Sequence, residues 1–271
     1  VDDTLHQSLS ALMFSGDKDE LIQTQNAQPA IMAVSMAIFK ILEKEAGADI
    51  ISMVAGHSLG EYSALCASGA LTLSQTAHLL QVRGQAMAEA AHQNKGGMLA
   101  ILGASFEQAQ EIAAKTDSFI ANDNCVGQIV LSGRVSSVSA AQILAGQMKL
   151  RAIPLAVSGG FHSPLMQPAA EKLAQVLHEI QFKTAKFPVY FNVLANTESD
   201  SKKFSDLLIQ QLTHPVRWRE TILNMPENYF VECGPGNVLS GLMRRMGKEH
   251  TTLNGCSVDD VKVLIEKLSL K

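Results

Sequence analysis

The sequence predicts an α/β fold: a parallel-sheet, α/β-hydrolase-like large subdomain carrying an inserted ferredoxin-like α+β small subdomain. Three observations predict it. The apolar run Ile50-Ile51-Ser52-Met53-Val54-Ala55 breaks at Gly56-His57-Ser58-Leu59-Gly60 and continues into the helix former Glu61-Tyr62-Ser63-Ala64-Leu65-Cys66-Ala67, a strand–sharp turn–helix pattern. From residue 96 the rhythm becomes β-α-β-β-α-β over about 60 residues, the ferredoxin-like order. After residue 160 helices and strands alternate again, and a parallel sheet covered by helices is the natural packing for such alternation. The expected boundaries are 1–95 with 161–271 for the large subdomain and 96–160 for the small one.

Each element follows from local signals. Asn26-Ala27-Gln28-Pro29 opens the first helix, with proline in its first turn and Ile31, Val34, Ile38 and Ile41 at helical spacing until Gly47. A strand over 50–55, the turn, and a helix over 59–68 follow. A helix over 72–92 places Leu73, Ala77, Leu80 and Gly84 on one side, and Lys95-Gly96-Gly97 breaks it. In the small subdomain, strands are expected at 98–104, 119–122, 128–132 and 151–157, and helices at 106–115 and 137–149. Helices at 163–179 and 204–211, strands at 189–193 and 229–232, and helices at 238–246 and 259–268 complete the chain. An open α/β sheet usually places a strand before its first long helix, so a further strand N-terminal to Val1 is expected.

The 271 residues, 46% of them apolar, suffice for one large core with a smaller appended unit. The formal charge of −4 is dispersed, and no basic tract recommends nucleic acid. No apolar stretch reaches membrane-spanning length and no signal-peptide pattern precedes the fold, so a cytoplasmic protein with no membrane role is expected. Cys66, Cys125, Cys233 and Cys256 stand far apart, without Cys-x-x-Cys or Cys/His pairing, which points to reduced thiols and no zinc. His57 and Glu61 lack the second histidine of a metalloprotease helix, so no metal site is expected.

Three residues are candidates for chemistry. Ser58 sits on the sharp turn at a helix N-terminus, where free N–H groups and the positive dipole end favour a developing oxyanion. Cβ atoms at positions 56 and 60 are expected to crowd that turn. A serine hydroxyl needs a base. His162, in Ser158-Gly159-Gly160-Phe161-His162-Ser163-Pro164, lies where a strand has ended and a helix begins; a satisfied loop histidine is the bland alternative. Arg83 lies mid-helix among Leu79, Leu80, Val82, Ala86 and Met87, where a guanidinium could grip a carboxylate through paired hydrogen bonds; a solvated surface arginine is the alternative.

Gly56-His57-Ser58-Leu59-Gly60-Glu61-Tyr62-Ser63-Ala64 resembles the active-serine motif of malonyl-CoA:acyl-carrier-protein transacylases and related acyltransferase domains. Gln81-Val82-Arg83-Gly84, Gly160-Phe161-His162-Ser163-Pro164-Leu165-Met166, His214-Pro215-Val216-Arg217-Trp218 and Glu232-Cys233-Gly234-Pro235-Gly236-Asn237-Val238-Leu239 are similar to further family blocks in the same order. The resemblance implies that Ser58 is acylated, that His162 is its base, and that the Leu59 N–H is an oxyanion donor. It implies that the backbone carbonyl of Gln211 orients His162. Arg83, Phe161 and Met87 are the implied substrate-binding residues, with Phe161 narrowing the room beside the substrate α-carbon. Asn124 and Gln128 are similar to cleft-facing positions. The family's Pro-Gly-Gln-Gly-Ser-Gln loop, source of a second oxyanion N–H, has no counterpart in the sequence.

The implied reaction is ping-pong malonyl transfer from malonyl-CoA to the phosphopantetheine thiol of acyl carrier protein, supplying fatty-acid synthesis, with malonyl-CoA as substrate and no bound cofactor. An acidic carrier protein would dock transiently, with Arg244, Arg245 and Lys248 as candidate contacts or simply a solvated helix face; a monomer is the default expectation. Alternatives are a discrete acyltransferase of a polyketide pathway, a serine esterase or thioesterase sharing the same turn, and a non-catalytic acyltransferase-like scaffold. The esterase reading wants an acid on a strand end between serine and histidine, and none recommends itself.

Overall fold

The computed structural model describes residues 1–246 and 249–269. Three short helices that the sequence did not announce lead in: α1 (Asp2–Leu5), α2 (Leu9–Ser15) and α3 (Lys18–Leu21). They are too short for a periodic signal; Leu5, Leu9 and Leu12 hold α1 and α2 to the main core, and Leu21 of α3 packs against it. Helix α4 (Thr24–Ala46) starts two residues before Asn26, so Pro29 falls inside the helix rather than in its first turn. The expected apolar spacing holds in part, since Val34 packs beside the buried Ile38. Met32 and Met36 face the main core, Ile38 and Leu42 face a second cluster, and Ile41 is exposed. The helix is packed on two sides, so one stripe could not describe it.

Strand β1 is only Val54–Ala55; Ala48–Ile50 form a 3-10 turn, and residues 51–53 join no ladder among the described residues. Helix α5 (Gly60–Ala67) follows, then α6 (Leu73–Gln93), whose Thr72 and Gln75 form a reciprocal N-terminal cap. Ala77, Leu80 and Gly84 are buried as expected, while Leu73, in the first turn, is exposed. Next come β2 (Gly96–Leu102), α7 (Phe106–Thr116), β3 (Phe119–Cys125), β4 (Gln128–Arg134), α8 (Val135–Gln147) and β5 (Arg151–Pro154). Their sheet has the order β3-β4-β2-β5, with every neighbouring pair antiparallel. Leu99, Ile101, Ile129 and Leu131 on one face pack with Ile112 and Ala141 of the two helices into a core of their own.

Helix α9 (Gln167–Leu177), preceded by a 3-10 turn at Pro164–Met166, leads to β6 (Val189–Phe191) and β7 (Asn196–Thr197). Helices α10 (Phe204–Gln211) and α11 (Trp218–Asn224), strand β8 (Tyr229–Cys233), α12 (Val238–Met243), β9 (Thr251–Gly255) and α13 (Val258–Ser269) complete the described chain. The parallel pairs β1–β6 and β8–β9 exist, but they lie in separate sheets, β1-β6-β7 and β8-β9, rather than in one continuous sheet. β9 and α11 escaped the sequence because Thr251–Gly255 is only half-buried and Trp218–Asn224 spans two turns.

Candidate active site

The turn between β1 and α5 is as tight as its glycines suggest, but only one of them explains it. A Cβ on Gly56 would lie 1.9 Å from the carbonyl of Gly60, whereas a Cβ on Gly60 would meet nothing within 4 Å. The expectation of crowding at position 60 is thereby corrected: Gly56 is the point of close approach. Ser58 takes φ +53°, a left-handed conformation unusual for a side-chain-bearing residue, and His162 takes φ +55°.

Three distant segments converge on the Ser58 hydroxyl. His162 Nε2 lies 2.8 Å from Oγ, and Arg83 Nη2 donates to the same oxygen at 3.0 Å. The Nδ1 of His162 is 2.8 Å from the Gln211 carbonyl. A carbonyl only accepts, so Nδ1 carries the proton and Nε2 is left to accept from the serine. Burial, reinforced by the Arg83 cation, pushes the imidazole down to about 3, so it is neutral at pH 7. The sequence left His162 and Arg83 open to loop and surface roles. Both are buried, and both touch Ser58.

Arg83 is 1% exposed. It reaches the site because α6 lies against α4 at Gly84, where a Cβ would come within 2.5 Å of the Gln25 Cα. Its Nη1 donates to Gln28 Oε1 at 2.6 Å and its Nη2 to Gln211 Oε1 at 3.0 Å, while Nε finds no partner. Every hydrogen bond the guanidinium donates thus ends on a neutral side chain, and among the described residues no carboxylate lies in ion-pair distance. A buried cation so arranged retains capacity for an anion.

Gln211 does more than its expected backbone contact, since its Nε2 also donates to the Ser58 carbonyl at 3.1 Å. Met87 is buried with its sulfur 3.6 Å from Gln28 Nε2, and Phe161 is half-buried between the main core and the open face of the four-stranded sheet. Among the described residues, no hydrogen bond engages the Leu59 N–H. His57 Nε2 lies 2.8 Å from Asn124 Oδ1, and burial holds its imidazole below the usual range. Gln128 is 3.5 Å from Arg245, itself exposed beyond α12 with Arg244; Lys248 lies outside the described residues. A cavity of about 560 Å³ reaches His162 between Phe119, Asp123, Pro215 and Arg217. Among the described residues, no group of three metal-ligating side chains exists, and no helix is long and apolar enough to cross a membrane.

Sequence reasoning missed Gln28, Asn192 and the placement of Glu61. Gln28 had a signal: it stands four residues before Met32 and eight before Met36, a polar side chain on an apolar stripe. Asn192 had none, because its contacts lie more than 130 residues away.

A serine and histidine in hydrogen bond, beside a buried cation on an α/β scaffold, define an acyl-transferring enzyme. The chain belongs to the acyl transferase domain family, whose model matches residues 1–263. It is 41% identical over 277 residues to malonyl CoA-acyl carrier protein transacylase of Bacillus subtilis, covering 99% of this chain and 87% of that protein. The protein of the same name from Staphylococcus aureus is 35% identical over 270 residues, with 96% and 86% covered. Among solved structures, the acyl-carrier-protein-S-malonyltransferase of Bartonella henselae matches with a TM-score of 0.93 and 41% identity, over 98% of this chain and 88% of that one. A malonyl-transacylase in complex with a type II PKS acyl-carrier protein matches with a TM-score of 0.92 and 36% identity, over 98% and 88%.

Proposed function

We propose that this chain transfers a malonyl group from malonyl-CoA to the phosphopantetheine thiol of acyl carrier protein through a malonyl-Ser58 intermediate, supplying fatty-acid synthesis in the cytoplasm. The observation that carries the reading is the buried Arg83 guanidinium, bonded only to neutral groups and 3.0 Å from the hydroxyl that His162 contacts. In the first half-reaction the Ser58 proton passes to His162 Nε2 while Oγ attacks the thioester carbonyl. The resulting oxyanion takes the Leu59 N–H, and collapse expels the coenzyme A thiolate, which regains the proton from His162. The carrier thiol then gives its proton to His162 and attacks the malonyl ester carbonyl; collapse breaks the ester bond to Ser58, whose Oγ takes that proton back from His162. Thioesters expel a good leaving group, so an imidazole oriented by a carbonyl rather than a carboxylate is sufficient.

The malonyl carboxylate takes the place of Ser58 on Arg83. Neutralising that cation also removes one of the influences, second to burial, that hold His162 low, so the correct substrate raises the basicity of its own catalyst. Gln28 and Gln211 hold the guanidinium, Met87 supports Gln28, and Phe161 limits room at the α-carbon. The division into segments 1–95 with 161–271 and 96–160 belongs to this reading; the separate core under the four-stranded sheet supports it. The chain works as a monomer without a bound cofactor, and Arg244 and Arg245 face an acidic carrier. The likeness to a malonyl-transacylase complexed with a type II PKS carrier favours, as the second reading, supply of a polyketide pathway.

The test is the intact mass after exposure to malonyl-CoA. One malonyl adduct, absent from Ser58→Ala, is expected, and no adduct on the unmodified chain overturns the reading. Arg83→Ala is expected to cut malonyl transfer on the order of 10²-fold or more while acetyl transfer falls far less. Equal losses remove Arg83 from the specificity role.

A further inference from the structure

A buried carboxyl next to a catalytic turn needs a reason, because an apolar side chain would cost less to bury. Glu61, in the first turn of α5, is fully buried, yet it forms no ion pair among the described residues and its Oε1 has no hydrogen-bond partner. Its Oε2 accepts from the Asn192 backbone N–H at 2.5 Å. Asn192, also fully buried, follows β6, and the parallel register of β6 on β1, Ala55 opposite Tyr190, brings it beside the turn. There its side chain spans both sides of residue 57. Oδ1 accepts from the Ser58 N–H at 2.7 Å, and Nδ2 donates to the Gly56 carbonyl at 2.7 Å.

We infer that Asn192, anchored by Glu61, is a positioning residue that holds Ser58 in its left-handed conformation and so aims Oγ at His162. The brace fixes the two peptide groups on either side of residue 57 within the turn, and it spends the Ser58 N–H, leaving the Leu59 N–H unspent in the same turn. Neither Asn192 nor Glu61 hydrogen-bonds the Ser58 hydroxyl, so each acts through the backbone. Burial pushes the Glu61 carboxyl up to about 8, so at pH 7 it is mostly neutral and glutamine is its near mimic, able to accept the same N–H.

The inference rests on Ser58 being the nucleophile, and its test separates the two claims. Two reactions are followed on the whole chain: single-turnover malonylation by malonyl-CoA, and labelling of Ser58 by a fluorophosphonate, a serine-directed reagent with no carboxylate. The variants are Asn192→Ala, Glu61→Leu, Glu61→Gln and the double Asn192→Ala/Glu61→Leu, each checked by thermal melting. Asn192→Ala and Glu61→Leu are expected to slow both reactions on the order of 10²-fold while half-saturating malonyl-CoA changes less than about threefold. The double variant should lose no more than the worse single one, the signature of groups acting as a unit. Glu61→Gln should restore the rate to within about threefold of wild type. Full-speed labelling of folded Asn192→Ala, or additive losses, overturns the brace. Should Asn192→Ala fail to fold, equal labelling rates in Glu61→Leu and Glu61→Gln overturn it by themselves. Absence of malonylation in the wild type refutes the proposed function, while fluorophosphonate labelling still judges the brace.

Discussion

Ser58 Oγ receives one hydrogen bond from a buried cation and lies against a neutral imidazole, and both partners are fixed by groups of their own. At this scale burial sets the protonation states, and the states set the pH response. Glu61 has its folded value raised from 4.5 to about 8 by burial, against the opposing Asn192, Gln211 and Arg83. Below pH 4.5 both folded and unfolded chains hold it neutral. As pH rises toward 8 the unfolded chain ionises and the folded chain does not, so stability falls through that window. His162 acts in the opposite direction: below 6.5 the unfolded chain takes a proton that the folded site refuses down to about 3, so stability falls as pH falls. Melting curves of Glu61→Gln are therefore expected to decline less than wild type between pH 5 and 8. A parallel decline in both proteins would show that Glu61 is not held neutral. Phe161 packs over Met98, Ala100, Ala121 and Val130, and in the proposed function its ring limits size rather than binding charge. Phe161→Ser is expected to raise the methylmalonyl-to-malonyl transfer ratio by about 10-fold, the worth of a methyl group in a pocket. Competition between the two thioesters measures it, and an unchanged ratio removes Phe161 from the selectivity.

At the scale of elements, the site depends on how closely two helices approach. Arg83 can reach Gln28 because α6 carries glycine where it touches the α4 backbone. Gly84→Ala puts a methyl 2.5 Å from Gln25 Cα, and the helices must separate. The expected result is a loss of about 1–3 kcal/mol in urea unfolding, with malonyl transfer falling more than acetyl transfer. An unchanged ratio of the two activities would mean that the spacing does not place the guanidinium. The turn at Ser58 was legible because its signal is local: apolar run, glycines, helix former. The strand before it was legible only in part. An apolar run over 50–55 suggests six strand residues, but a strand exists only where a neighbour supplies a ladder, and β6 pairs with Val54 and Ala55 alone.

Across the whole molecule, the four-stranded sheet is strapped to the rest beside the site. Asp123 N–H donates to the Val216 carbonyl at 2.9 Å, and Val216 N–H to the Ala121 carbonyl at 2.8 Å. The Asp123 carboxylate, 2% exposed, receives a two-pronged contact from Arg219. Asn124, the next residue, holds His57 beside Ser58 in the turn. Removing Arg219 leaves that carboxylate buried without its cation. Arg219→Ala is expected to cost about 3 kcal/mol, read by urea unfolding, with a smaller loss of transfer activity through His57. A change below about 0.5 kcal/mol would mark the pair as a surface bridge instead.

The sequence by itself determined the α/β class, the β-α-β-β-α-β run and the turn bearing Ser58, because patterns of two, three or four residues and glycine placement are written locally. With the family resemblance it also named His162, Arg83 and Gln211. Only the tertiary structure decided that Arg83 is buried among neutral amides, that Gln28 and Gln211 hold it, and that Asn192 and Glu61 brace the turn. Those facts rest on contacts between residues 55 to 136 positions apart, and the physical cost of burying each polar group is set by neighbours that adjacent sequence does not specify.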